Sequence, residues 1–369
     1  MPAETPPPSP PPSAAPPAAV PRPAAAAAPY RRTRLLHLAA AIDGRGRHTA
    51  DHYVELARLA ERGALDFVTL GGGAGGGVLD ALDALDLLAV LARVASATDR
   101  IGLVPAMAAA SAAPAELARS VAGLDRVSQG RAGWTVTAPE GGPAGGGDGT
   151  EAAAGQPAPK RAEARWRAAA DVVGTAVLAW DTLEGAEHRP PQGRPVLAVD
   201  ATEPAARSTA ARYADIAFVR SACQVQADRI RTELRGRAAE WGRDPDRLLV
   251  LGELRVDLGG AELGPESGTV VAPVPDGSGG ALFRGGPVDL AELMADWQRA
   301  GAVDGFHAVP VEPRRDLERF VNGTAALLQH RGLFRAFHPG ATLREHLGLQ
   351  RPAGAARDGR PGGSRLRTG

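Results

Sequence analysis

"IGLVPAMAAASAAPAELARSVAGLDRVSQGRAGWTV", residues 101–136, places two continuous apolar runs, Ile101 to Ala106 and Ala132 to Thr137, on either side of an amphipathic segment. Unbroken apolar runs, rather than alternating ones, are what parallel strands covered on both faces require. Pro114 suits the first position of a helix, and "AELARSVAGLDRVS" after it reads as that helix. The stretch is therefore a strand–helix–strand unit. Its odd part is the alanine run directly after the first strand, where a functional loop is expected.

The same unit repeats outward in both directions. Short apolar runs at Leu35 to Ile42, Phe67 to Leu70, Ile101 to Ala106, Ala132 to Thr137, Val196 to Val199, Ile216 to Val219, Leu248 to Val256 and Gly305 to Val311 alternate with amphipathic segments. In "TADHYVELARLAERGALDF", Tyr53, Leu56, Leu59 and Ala60 share one helical face, Thr49 or Asp51 suits the cap, and Gly63 suits the left-handed position past the end. Leu82, Leu85, Leu88, Ala89 and Ala92 give the second helix a stripe. Further helices fit Arg161 to Thr182, Pro204 to Tyr213, Gln224 to Trp241, Leu290 to Ala300 and Leu317 to Arg331. Eight alternations predict an α/β fold, a closed (β/α)₈ TIM barrel, with a doubly wound open sheet as the runner-up.

In such a barrel chemistry sits on the loops after the strands. Here those loops are low in complexity: "GGGAGGG" after strand two, "MAAASAA" after strand three, "PEGGPAGGGDGTEAAAGQPAP" after strand four, and "GGAELGPESGTVVAPVPDGSGG" near strand seven. The framework is well specified and the rim is not.

The flanks read differently. Residues 1–30, almost all Pro and Ala, cannot bury enough apolar surface to offset ordering entropy and are expected to be a disordered arm. Residues 353–369, rich in Gly and Arg, are expected to be a disordered tail. That leaves residues 31–352 for the barrel. Arg31 and Arg32 before an apolar run resemble a twin-arginine export signal, but the run is short, contains His37 and ends at Asp43, which suits a first buried strand better. No stretch approaches the roughly 20 apolar residues of a membrane span.

Charge and cysteine content narrow the partners. Lys+Arg 42 against Asp+Glu 42 gives no net charge, so neither nucleic acid nor a membrane surface is expected as a partner. The single cysteine, Cys223, excludes an intrachain disulfide and a cysteine-built metal site, and a reducing, cytoplasmic setting is expected.

The remaining motifs carry little chemistry. "GGGAGGG" lacks the Gly-Lys-Ser/Thr ending of a phosphate loop and a following dinucleotide fingerprint, and reads as a linker. Arg119, Asp125, Arg126 and Arg131 suit a solvated face better than an acidic-ligand site. The histidines lack metal-ligand spacing apart from His48 and His52 at i, i+4, so no metal site is expected. His307, in strand eight, can point inward toward a ligand, although a satisfied core histidine is the commoner outcome. Hydrolase chemistry has no positive support.

Several segments, taken in order, carry a resemblance: "ARVASATDRIGLV", "LARSVAGLDRVSQGRAGWTV", "RPPQGRPVL", "AARYADIAFV", "DWQRAGAVDGFHAVP" and "LLQHRGLFRAFHPGATLREHLGLQRP". Together they resemble the bacterial-luciferase-like flavin monooxygenases, in the nitrilotriacetate monooxygenase component A branch. The resemblance implies a luciferase-like barrel that receives reduced FMN from a separate NAD(P)H-dependent flavin reductase and uses O₂ to oxygenate a small organic substrate. It also implies a homodimer.

At the family's ligand positions this chain departs from the pattern. Gly71 and Gly72 stand where the family ends strand two with an acid, and Ala106 and Ala110 stand where it has threonines. Thr135 takes the place of Asn or Arg, Ala162 and Trp166 that of a His/Tyr pair, and Thr202 or Glu203 that of a phosphate-binding hydroxyl. The segment after Trp180 and Asp181 is shortened to "LEGAEHRP". The candidate cofactor contacts are then Thr135, Thr137, Arg165, Trp166 and Thr202, with Trp166 or a neighbour stacking on the ring, Arg165 and Thr202 toward the phosphate, and Thr135 near the reactive edge. The alternative reading is a luciferase-like barrel that has lost flavin and catalysis and serves as a binding or interaction protein.

Overall fold

The computed structural model describes residues 34–43, 48–72, 84–109, 113–138, 158–183, 185, 189–260, 271–277 and 280–352. Both terminal arms, Ala110 to Ala112 of "MAAASAA", and most of each other low-complexity loop lie outside the described residues.

Every one of the apolar runs forms a strand. They are β1 (His37–Ala41), β2 (Phe67–Leu70), β3 (Gly102–Ala108), β4 (Gly133–Thr137), β5 (Val196–Asp200), β6 (Ile216–Arg220), β7 (Leu249–Asp257) and β10 (Gly305–Pro310). Each pairs in parallel with its neighbours, and β10 pairs with both β7 and β1, so the sheet closes into a (β/α)₈ TIM barrel rather than an open sheet.

Two short strands, β8 (Val274–Pro275) and β9 (Ala281–Arg284), form an antiparallel pair. β6 pairs with β7 only as far as Glu253, and β9 occupies the free edge of β7 from Arg255 to Asp257. The local sequence gave no signal for this hairpin, because its strands are short and half of its residues are exposed.

The helices are α1 (Ala50–Arg62), α2 (Ala84–Ala95), α3 (Pro114–Val127), α4 (Ala158–Thr182), α5 (Arg207–Tyr213), α6 (Gln224–Glu240) and α7 (Pro287–Arg299). The expected face of α1 is buried, and Pro114 does open α3. Gly63, however, has an ordinary φ of −75°, and Ala64 takes the left-handed conformation at 58°. Gly63 serves close packing instead: a Cβ there would lie 2.8 Å from Val321. In α2 the buried stripe is Leu87, Leu91, Val94 and Ala95, while Ala89 is exposed. "LDLLAVLARVA" is apolar on nearly all sides, so periodicity alone could not phase it.

The last helical segment is broken into α8 (Pro313–Arg319), a π-helical turn at Phe320–Ala325, and α9 (Ala326–His330). The widened turn abuts the start of α7: Thr324 donates to the Pro287 carbonyl at 2.9 Å, and a Cβ on Gly323 would lie 2.4 Å from Pro287. A one-turn helix, α10 (Leu343–His346), follows with a Thr342–Glu345 capping box.

Two apolar layers result. The larger lies between strands and helices and contains Trp134, Trp166 and Trp180. The smaller fills the barrel around Phe67, Val104, Phe218 and Leu251, and Leu343 and Leu347 close it from below. Among the described residues no helix is long and apolar enough to cross a membrane.

Candidate functional site

The two ends of the barrel have different chemistry. At the N-terminal end, polar groups lock segments together. Buried Asp125 accepts from the Ala132 N–H at 3.0 Å and from Gln192 Nε2 at 2.6 Å, and Gln192 Oε1 accepts from the Arg344 N–H at 2.9 Å. The Arg344 guanidinium then reaches Asp215 at 2.8 Å and the Arg194 carbonyl at 2.8 Å. Asp66 is held by the Leu38 N–H and Arg335, each at 2.8 Å, and by His37 at 3.2 Å. Burial opposes the ionised form of Asp66, yet its partners His37 and Arg335 hold it below the ordinary carboxylate range.

Arg131 is neither part of a solvated face nor a ligand site. It is 4% exposed, and its guanidinium donates to the carbonyls of Ala95, Thr98, Ile101 and Ser128. The segments "DRVSQGRAGW", "PPQGRPV" and "TLREHLGL" therefore interlock at this end. Their role is to hold the barrel floor.

At the C-terminal mouth, inward-facing polar residues lie directly on the aromatic floor. His307 accepts or donates at 2.9 Å with Thr69 Oγ1 through Nε2, and at 2.9 Å with Glu253 through Nδ1. Its ring lies 4.7 Å from that of Phe218. Glu253 lies 3.8 Å from Arg220, which pairs with Asp200 and donates its backbone N–H to Thr202 Oγ1 at 2.9 Å. A polar belt thus runs from β2 through β10, β7 and β6 to β5. Burial raises the Asp200 carboxyl, with Arg220 opposing the shift.

Asp43, just past β1, joins the belt electrostatically. Its Oδ1 accepts from the Gly71 N–H at 2.6 Å, and its Oδ2 is buried without a hydrogen-bond partner. Burial pushes its carboxyl up to about 6.

The wall opposite the belt is built from small residues. Ala106 and Ala108 on β3 are in register with Thr135 and Thr137 on β4. Thr135 is 6% exposed, and its Oγ1 is buried with no partner. Buried polar atoms are nearly always paired, so an orphaned hydroxyl facing the barrel marks a place for a ligand group.

The five sequence candidates fall into two groups on adjacent strands. Thr135 and Thr137 end β4. Arg165 and Trp166 extend from α4 to the loop after β5, where they meet Glu203: Arg165 Nη2 contacts both carboxylate oxygens at 2.9 and 3.1 Å, and Trp166 Nε1 donates at 2.8 Å. Trp166 is 5% exposed. Thr202 lies next to Glu203, with its hydroxyl accepting from Arg220. Sequence reasoning passed over Asp43, Asp200, Arg220 and Glu253. Their signal was present: each is a charge set at or within the C-terminal end of a buried apolar run.

Comparisons with known proteins agree with this architecture. The luciferase-like monooxygenase family matches residues 32–258. N-acetyl-S-(2-succino)cysteine monooxygenase of Bacillus subtilis is 25% identical over 82% of this chain and 90% of its own length. Nitrilotriacetate monooxygenase component A of Aminobacter aminovorans is 24% identical with the same coverage of 82% and 90%. The structure of EDTA monooxygenase from Chelativorans sp. BNC1 shares the fold with a TM-score of 0.68 at 19% identity, covering 86% of this chain and 99% of that one.

Proposed function

The chain belongs to the luciferase-like monooxygenase family, and on that premise we propose that it is the oxygenase of a two-component system. It takes reduced FMN from a separate NAD(P)H-dependent flavin reductase and oxygenates a small organic substrate at the C-terminal mouth. The observation that carries this reading is the orphaned Thr135 hydroxyl, set among Ala106, Ala108 and Thr137 and facing a charged belt.

The residues at the mouth suit one end of the cofactor and not the other. Thr135 and Thr137 offer hydroxyls to the polar edge of the ring, and the alanines beside them leave its face unobstructed. The arginines that would meet the phosphate, Arg165 and Arg220, are already paired with Glu203 and Asp200. Reduced flavin, when bound, supplies the activation of O₂.

The chain's own groups provide orientation and proton handling. Glu253 and Thr69 fix both nitrogens of the His307 ring, so the imidazole cannot rotate. Asp43, raised to about 6, can hold or release a proton near neutral pH. The aromatic floor of Phe67 and Phe218 excludes water from below. The test is a coupled assay with a flavin reductase, NADH and ¹⁸O₂ across small sulfur- and nitrogen-containing substrates. Incorporation of one labelled oxygen into a product supports the proposal, and its absence with every substrate, while flavin is shown to bind, counts against it.

The second reading, a barrel that binds without catalysing, draws on Gly71, Gly72 and Ala106, which leave the ends of β2 and β3 without polar side chains. It expects cooperative folding and no O₂-dependent product.

A further inference from the structure

The arginines at the strand ends of the mouth are already committed, while Lys160 stands exposed at the start of α4. Among the described residues at the C-terminal ends of the strands, the arginines already face carboxylates: Arg165 faces Glu203, Arg220 faces Asp200, Arg255 faces Asp276, and Arg284 and Arg315 face Asp257.

The β5 end shows the consequence in detail. Asp200 and Glu203 flank Thr202. Glu203 takes Arg165 and the Trp166 indole N–H, and Asp200 takes Arg220, so both cations have carboxylate partners. Arg207 also reaches the Ala201 and Thr202 carbonyls and pairs with Glu233, so three arginines against Asp200, Glu203, Glu253 and Glu233 leave one negative charge in excess. A phosphate dianion entering here would have to displace a carboxylate from its bidentate or charge-assisted partner, or sit beside it against like-charge repulsion. The β4 wall has the opposite character: the Thr135 hydroxyl lacks a partner, and Ala106 and Ala108 carry no charge.

We infer that this mouth recognises the flavin ring and not the flavin phosphate, so that riboflavin binds as tightly as FMN. The inference rests on the proposed flavin site and adds which part of the molecule supplies the affinity. Glu203 is the residue that sets the indifference to phosphate, because it holds both Arg165 and the Trp166 indole. Removing its charge takes a bidentate carboxylate away from Arg165 and leaves the ring contacts at β4 untouched.

The full-length protein is titrated anaerobically with reduced FMN and, separately, with reduced riboflavin, at low and high salt, for the wild type and for Glu203→Gln. The expected wild-type dissociation constants agree within roughly threefold, and FMN binding does not weaken with salt. Glu203→Gln should tighten FMN by roughly tenfold, as expected when one charge-assisted pair becomes available, and leave riboflavin unchanged. Asp200→Asn should act in the same direction through Arg220. Wild-type FMN binding more than roughly thirtyfold tighter than riboflavin, or a Glu203→Gln effect equal for both ligands or absent, would overturn the inference while leaving the flavin site standing. Binding of neither flavin would overturn the flavin site itself, and the inference with it.

Discussion

Glu253 on β7 and His307 on β10 are register partners whose side chains meet at 2.9 Å inside the barrel, with Thr69 on the far nitrogen of the same imidazole. The pair is nearly closed to solvent, with side-chain exposures of 11% and 5%. Glu253→Ala would leave a buried ring nitrogen unsatisfied and should destabilise the fold by about 1–3 kcal/mol. A double-mutant cycle with His307→Ala should return a coupling energy of at least about 1 kcal/mol in urea unfolding. Additive losses would show that the two do not interact.

The latch at the opposite end should behave as structure alone. Arg344 is 7% exposed and serves Asp215 and the Arg194 carbonyl. Arg344→Ala strands partly buried Asp215 and should cost about 3–5 kcal/mol, the range for breaking a buried pair. Arg344→Lys should recover little, since an ammonium cannot reproduce the forked geometry. Thermal melting checks both, and a full rescue by lysine would contradict the assignment.

Thr135 separates stability from binding. Its hydroxyl has no partner among the described residues, so Thr135→Val should leave stability unchanged or raise it by up to about 1 kcal/mol, while weakening reduced flavin by about tenfold through one lost hydrogen bond. Urea unfolding and ligand titration of the same sample provide the two readings. A destabilised variant with unchanged flavin affinity would show that the hydroxyl belongs to the fold.

Two buried groups tilt stability in opposite directions with pH. Burial lowers His346 to about 4 from the usual 6.5, so its contribution is present above pH 6.5 and lost as the pH falls toward 4. Burial raises Asp43 from 3.8 to about 6, so its contribution is present below pH 3.8 and lost as the pH rises through 6. In unfolding midpoints between pH 7 and 4, His346→Asn should gain on the wild type as the pH falls. The difference between Asp43→Asn and wild type should shift against the variant over the same range. Parallel pH curves for a variant and the wild type would contradict the shift assigned to that residue.

How much of this was legible in the sequence follows from which interactions are local. Strands such as Phe67–Leu70, and Ile216–Arg220 as far as Val219, could be read because a doubly covered strand must be apolar throughout. The resembling segments could be read as well, and in the structure they interlock: Asp125, Gln192 and Arg344 join "SQGRAGW", "PPQGR" and "TLREHL" in one fixed geometry. His307 was visible as a possible inward imidazole, but its partners were not, since Thr69 and Glu253 lie far away in the chain and meet it only when the barrel closes. Trp166 and Arg165 were read as free to meet a ligand. That both converge on Glu203 is a relation between α4 and the β5 loop that no periodicity encodes.

The central claim is that reduced flavin binds at the C-terminal mouth against the β4 wall. The most direct measurement is an anaerobic titration of the intact protein with reduced FMN, in parallel with Thr135→Val at the mouth and Arg344→Lys at the floor. The account predicts saturable one-site binding that weakens in Thr135→Val and, wherever the floor variant is folded, stays the same in Arg344→Lys. No saturable binding by the folded wild-type protein, or binding indifferent to Thr135, would contradict it.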